Sequence, residues 1–210
     1  MLVGLVSLLV VSACPTTDLG ALASPPLVRA AADGGPTRPD FVVELASKRS
    51  AVVPSTVVGP FDLGADGALV AAVRCSTIDK HGEAAGACEI VIAHLAPVGL
   101  GHLELSGLVG AFPARGKHLG VSSLAARDLL GGDEREVVVR WRSDEGDTIG
   151  LLRWDGFTRL WQQPRARDCA ASVHLDGPSC AAPRLRVAGC GAARAWRWDP
   201  RRAELVKASD

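Results

Sequence analysis

The sequence contains no Tyr, four Phe and only one Met. Its most numerous aromatic residues are five Trp, all in the C-terminal half. No segment has the long 3.6-residue apolar stripe of a helix, which argues against a helical bundle. The chain also lacks net charge, because 23 basic residues balance 23 acidic ones. No global electric field therefore favours a nucleic acid or an acidic membrane surface as partner.

Motifs of the common enzyme classes are missing as well. The five His are scattered, and no H-E-x-x-H, G-x-S-x-G or phosphate-cradling loop occurs. The Cys spacings are not the C-x₂-C pattern typical of zinc sites. We therefore predict no catalytic residues, no enzyme activity and no resident cofactor; a catalytic site assembled only in space is the alternative.

Short β-branched runs separated by Gly, Pro and Asp turns are abundant. Glu136–Arg142 and Thr148–Trp154, with a polar turn between them, predict an antiparallel hairpin. Further strands are predicted over Ala68–Cys75, Cys88–Ala96 and Arg184–Ala188, with loops over Ser76–Ala87 and after Pro164. Residues 41–210 are thus predicted to form one β-rich globular domain.

The N-terminal segment predicts export. Residues 1–13 are apolar, too short to span a bilayer as a helix, and typical of a signal peptide. Residues 14–40 are rich in Pro and Gly and predict a flexible linker. A signal peptide cut later, near Ala21–Ala23, is one alternative, and a buried strand in place of a leader is another.

The junction of leader and linker, Val11-Ser12-Ala13-Cys14, resembles the lipobox of bacterial lipoproteins. The resemblance implies cleavage after Ala13 and lipid attachment to the thiol of Cys14. It also implies a location in the cell envelope, periplasmic or at the cell surface, with the membrane as a partner through the N-terminal lipid.

Two stretches, Phe61–Ala96 and Arg127–Trp161, align loosely, and Ala193–Val206 matches the end of the second. Each of the two has an acidic glycine loop, a Val-rich strand and a hairpin. This order resembles the FG-GAP/VCBS family of β-propeller repeats. The resemblance implies an all-β fold, a small or incomplete β-propeller-like array of antiparallel hairpins, with a β-sandwich as the alternative.

Loops of that family bind calcium through carboxylates. The acidic residues here that match or lie near ligand positions are Asp62, Asp66, Asp128, Asp133 and Glu136. Each loop offers two or three carboxylates, whereas calcium takes six to eight oxygens. We therefore expect these Asp residues mainly to cap turns by accepting backbone N–H groups, with calcium binding as the alternative.

Five Cys besides Cys14 would meet oxidising conditions in an exported chain. Cys75 and Cys88 flank a polar loop between two predicted strands, so we expect them to pair. For the others we prefer Cys169–Cys180, which would fix a strand-poor segment. Pairing of Cys180 with Cys190 is the alternative.

Trp196 and Trp198 lie on one face of a predicted strand, because they are two residues apart. This favours core packing, with a sugar-stacking platform as the alternative. Nine Arg crowd residues 159–202, which indicates a solvated surface or, alternatively, a surface for an anionic partner.

These patterns together predict an exported, lipid-anchored, non-catalytic binding or structural module. Its ligand would be a protein or a carbohydrate rather than a nucleic acid. The alternatives are a secreted carbohydrate-active or hydrolytic enzyme and a calcium-dependent adhesion module.

Overall fold

A computed structural model describes residues 14–22, 50–53, 56–79, 81, 84–98, 103–132, 135–154, 158–163, 172–177, 179–180, 183–189 and 194–208. The described chain confirms the all-β prediction, and its strand pairings are antiparallel. The predicted signal peptide, linker residues 23–40, Asp133, Cys169 and Cys190 lie outside the described residues. Within them, no helix is long and apolar enough to cross a membrane.

The first strand of the described chain, β1 (Thr16–Asp18), belongs to the last sheet. Next comes the N-terminal sheet, in the spatial order β2-β4-β5-β6 with β3 also paired to β4. Its strands are β2 (Ala51–Val52), β3 (Val58–Asp62), β4 (Ala68–Ile78), β5 (Ala84–Pro97) and β6 (Leu103–Ala114).

The middle sheet is a four-stranded meander in the order β10-β9-β8-β7. Its strands are β7 (Gly120–Arg127), β8 (Glu136–Ser143), β9 (Gly146–Arg153) and β10 (Thr158–Gln162). The C-terminal sheet has the order β1-β11-β12-β13-β14. Its remaining strands are β11 (Ser172–Asp176), β12 (Arg184–Ala188), β13 (Arg194–Asp199) and β14 (Glu204–Lys207).

The middle sheet packs between the other two because its strands are apolar on both faces. Along β8, Val137 and Val139 enter a core shared with the N-terminal sheet, whereas Val138 enters a core shared with the C-terminal sheet. This is the period-two alternation of a strand buried on both sides. The approach to the N-terminal sheet is close: a Cβ on Gly150 would lie 2.7 Å from the ring of Phe112.

The predicted disulfide between Cys75 and Cys88 is confirmed. The two residues are direct cross-strand partners of β4 and β5, with their Cα atoms 4.1 Å apart. The predicted loop Ser76–Ala87 is largely wrong, because β4 continues to Ile78 and β5 begins at Ala84. Backbone pairing carries this hairpin beyond the core, where its polar side chains remain exposed.

The predicted flexible linker 14–40 is wrong for residues 14–22, and the predicted loop after Pro164 misses β11. Thr17 pairs with Leu175 of β11, and Leu19 is fully buried in the core between the middle and C-terminal sheets. Such short strands carry little periodicity of their own. Strand β1 is specified by a partner at the far end of the chain, which the local pattern does not reveal.

Cys180 is bonded to Cys14 rather than to the predicted partner Cys169. The turn after β11 places Cys180 beside the start of β1, where the backbone N–H of Gly177 donates to the carbonyl of Pro15 at 2.7 Å. This disulfide joins residues that are 166 positions apart. Sequence spacing therefore could not identify the pair.

Candidate functional site

The acidic turns, for which calcium binding is the alternative expectation, are held as capped turns. Oδ1 of Asp62 accepts the backbone N–H of Gly64 at 2.7 Å, and Oδ1 of Asp128 accepts that of Gly131 at 2.8 Å. These bonds confirm the capping role expected from the sequence. Asp66 instead forms an exposed ion pair with Arg135 at 3.4 Å.

Glu136, the last of the candidate calcium ligands, has a fully buried side chain. Its Oε1 pairs with Nη2 of Arg153 at 3.0 Å, and its Oε2 accepts the backbone N–H groups of Leu129 and Leu130 at 2.8 and 3.0 Å. Both oxygens therefore hold the turn before β8. Across the described residues, no three His, Cys, Asp or Glu side chains form a metal-binding group, and calcium binding stays a prediction.

Trp196 and Trp198 face the core between the middle and C-terminal sheets, as the core interpretation predicts. Trp198 is 8% exposed, and Cζ of Arg153 lies 4.6 Å from its ring centroid. Trp196 is partly buried and packs edge-on against Trp161, with centroids 5.3 Å apart. Because both indole rings pack against other side chains of the protein, the two Trp do not form an open surface on which a sugar could stack.

A groove of about 270 Å³ lies where the end of β6 meets the turn between β8 and β9. We call it the polar groove. It is lined by Pro113, Arg115, Trp141, Ser143, Glu145, Asp147, Thr148 and Gln162. Nε2 of Gln162 donates to the carbonyl of Pro113 at 3.1 Å and so links the two sheets at its wall. Side chains with donors and acceptors thus converge on one concave surface.

The charge of the polar groove is organised around Asp147. Its Oδ1 accepts Nε–H of Arg142 at 2.9 Å, and its Oδ2 is paired with Arg140. Burial alone would raise the pKa of Asp147, but the hydrogen bonds and charges of Arg142 and Arg140 outweigh it and hold that pKa below its ordinary value. Asp147 is therefore a fixed anion that orients two guanidinium groups and does not donate a proton at neutral pH.

Sequence reasoning did not single out the polar groove. A signal was present, since hairpin pairing across a short turn after Ser143 places Asp147 opposite Arg142. The contribution of Gln162 and Pro113 could not be read in the same way, because it depends on how two separate sheets meet.

Comparison of the chain with protein-family models, with curated proteins and with solved structures gives no match. The resemblance to FG-GAP/VCBS repeats therefore stays a prediction.

Proposed function

We propose that this protein is exported to the cell envelope and acts there as a non-catalytic binding module. The observation that carries the proposal is the disulfide between Cys75 and Cys88, which is compatible with both an anchored and an unanchored chain. Disulfides of this kind form and persist outside the reducing cytosol. The apolar leader supplies a route to such a compartment, and the polar groove supplies a concave surface for a ligand.

The test of export is the location and thiol state of the full chain expressed in a bacterial host. We expect it in the envelope fraction, with Cys75 and Cys88 unreactive to a thiol-alkylating reagent until a reductant is added. A Cys75→Ser/Cys88→Ser variant is the control for the labelling pattern. Recovery of the chain in the cytoplasm with both thiols reactive would contradict export.

The lipid anchor at Cys14 is part of the proposal, and it competes with a disulfide for the same sulfur. A sulfur bonded to Cys180 has no thiol left to accept a lipid. In a lipid-anchored form Cys180 would not be bonded to Cys14. It could then form a disulfide with Cys169, the partner predicted from the sequence. Labelled palmitate should follow the wild type and be lost from a Cys14→Ala variant, whereas a linked Cys14–Cys180 peptide without label would show a secreted, unanchored form.

We also propose that the sheets are propeller-like repeats. Support comes from the two aligned stretches, since in each a capped acidic turn precedes a buried strand, β4 or β8. Exchanging residues 127–133 for residues 61–67 tests the equivalence, because a retained cooperative unfolding transition is expected only if the turns are interchangeable.

A carbohydrate-active or hydrolytic enzyme is the second candidate, favoured by the presence of Glu145 and Asp147 in one groove. Because Asp147 is held ionised, Glu145 would have to serve as the proton donor. We would then expect glycoside or ester turnover that a Glu145→Gln variant loses while keeping its melting temperature. No turnover by the wild type on a panel of chromogenic glycosides and esters would count against this candidate.

A further inference from the structure

The outer face of the C-terminal sheet carries two arginines in direct opposition. The register of β12 and β13 pairs Arg184 with Arg197, and both side chains are exposed. They lie on the face opposite to the buried Leu185 and Trp198. With Lys207 and Ala208, this arginine pair lines a hollow of about 250 Å³.

The carboxylate of the neighbouring strand β11, Asp176, forms its ion pair with a different arginine. Asp176 forms its ion pair with the guanidinium of Arg186, two residues along β12. The other oxygen of Asp176 accepts the backbone N–H of Arg184 at 3.2 Å, not its side chain. Among the ion pairs of the described residues, Asp176 therefore pairs with Arg186 and not with Arg184.

The carboxylates of the β13–β14 hairpin are also engaged elsewhere. Oδ1 of Asp199 accepts the backbone N–H of Arg201 at 3.0 Å within the turn. Glu204 pairs with Arg202 at 3.4 Å. Within the part of the chain that the structure describes, no carboxylate forms an ion pair with Arg184, Arg197 or Lys207.

Like charges directly opposite each other on neighbouring strands destabilise a sheet. An anion bound between the two arginines attracts both of them, and this attraction offsets their mutual repulsion. Each guanidinium group presents a fork of N–H donors that matches the oxygens of a phosphate group, and Arg184 and Arg197 line the same hollow.

We propose that Arg184 and Arg197 form a binding site for a phosphate group, either free or in an anionic lipid headgroup. This site rests on the binding role proposed above and adds a surface that shares no lining residue with the polar groove. The site itself is tested on the purified full chain, whatever its cellular location. If the chain binds phosphate but is found in the cytoplasm, the export proposal is wrong and the phosphate site is supported. If the chain is exported but does not bind phosphate, the phosphate site is wrong and the export proposal is supported.

The experiment measures the melting temperature by tryptophan fluorescence in increasing inorganic phosphate, with sodium chloride at matched ionic strength as the reference. A ligand that binds only the folded state raises the melting temperature in a concentration-dependent way. We expect this rise for the wild type. Arg184→Gln and Arg197→Gln should each weaken the apparent phosphate affinity by about tenfold or more, since each removes charge-assisted hydrogen bonds.

Arg194→Gln is the matched control, because Arg194 is exposed on the same strand as Arg197 but three residues away, on the opposite face. It makes the same change in net charge and should respond to phosphate as the wild type does. Arg197→Lys keeps the charge and loses the fork, so it should weaken phosphate binding without changing the reference melting temperature. Equal melting temperatures in phosphate and chloride, or equal phosphate responses of the wild type and the Arg184→Gln/Arg197→Gln variant, would overturn the site.

Vesicle flotation then separates the two sources of phosphate. Flotation with phosphatidylglycerol vesicles beyond that with phosphatidylcholine vesicles, lost in the double arginine variant, supports a lipid headgroup as ligand. A phosphate-dependent melting temperature without this excess flotation supports a soluble phosphate compound.

Discussion

Individual carboxylates in this protein differ in how much they stabilise the fold. Glu136 is fully buried against Arg153 and two backbone N–H groups, whereas Glu89, which pairs with the partly buried Arg74, is itself 38% exposed. Removing one member of a buried pair leaves the other charge uncompensated. We therefore expect Glu136→Gln to lower the free energy of unfolding by about 3–5 kcal/mol.

Urea unfolding of the purified protein measures this loss, and Glu89→Gln is the control. Because exposed ion pairs contribute little, the control should change stability by less than about 1 kcal/mol. Equal losses for the two variants would show that the burial of the Glu136–Arg153 pair does not matter to stability.

Asp147 provides a pH-dependent test at the same scale. Its folded-state pKa is below its ordinary value, despite burial, because of Arg142 and Arg140. A carboxylate with a depressed pKa contributes stability that is present above its unfolded pKa, about 3.9, and is lost as the pH falls through the folded value. The stability difference between wild type and Asp147→Asn should therefore be constant near neutrality and shrink below about pH 4. A difference independent of pH down to acid unfolding would contradict this origin.

At the scale of elements, Gly150 sets how closely the middle and N-terminal sheets approach. A Cβ at Gly150 would lie 2.7–2.8 Å from three ring atoms of Phe112, and Phe112 is fully buried. Gly150→Ala should therefore cost about 1–3 kcal/mol by overpacking. At Gly120, also in the middle sheet, nothing lies within 4 Å of an added Cβ, so Gly120→Ala should not destabilise the protein.

Thermal unfolding of the two glycine variants checks this difference. A Phe112→Leu change should restore part of the stability lost in Gly150→Ala, because a smaller side chain makes room for the new methyl group. If the two glycine substitutions were equally tolerated, the close contact between the sheets would be ruled out.

The strand β1 is attached through Leu19 as well as through backbone pairing. Leu19 is fully buried between two sheets, so Leu19→Ala should cost about 2–5 kcal/mol. Leu103→Ala is the control, since Leu103 is 38% exposed on β6. Urea unfolding should separate the two variants, and an unchanged midpoint for Leu19→Ala would show that residues 14–22 do not contribute to the fold.

The strength of each local pattern decided which of these elements the sequence predicts. Runs such as Glu136–Arg142 and the cross-strand pair Cys75–Cys88 are specified by nearby residues, and the structure confirms them. Strand β1, the bond between Cys14 and Cys180 and the polar groove depend on residues far apart in sequence. Composition shows that the C-terminal region is rich in arginine, but only strand register shows which two arginines face each other.

At the scale of the whole molecule, the two disulfides differ in how much chain they restrain. Cys75–Cys88 encloses 13 positions and Cys14–Cys180 encloses 166. In the chain-entropy model these loops contribute about 3 and 5 kcal/mol respectively. In the unanchored form, which carries both bonds, we expect Cys14→Ser/Cys180→Ser to lower the urea midpoint more than Cys75→Ser/Cys88→Ser does, and the reverse order would contradict the model for this chain.

The bond between Cys14 and Cys180 makes most of the protein a covalent ring. A protease that cuts one exposed loop inside that ring opens it without releasing a fragment. The nicked protein would migrate as one species on a non-reducing gel and separate into two pieces only after reduction. The protein can therefore remain in one piece after a single cut by an extracellular protease, because the bond between Cys14 and Cys180 still joins the two fragments.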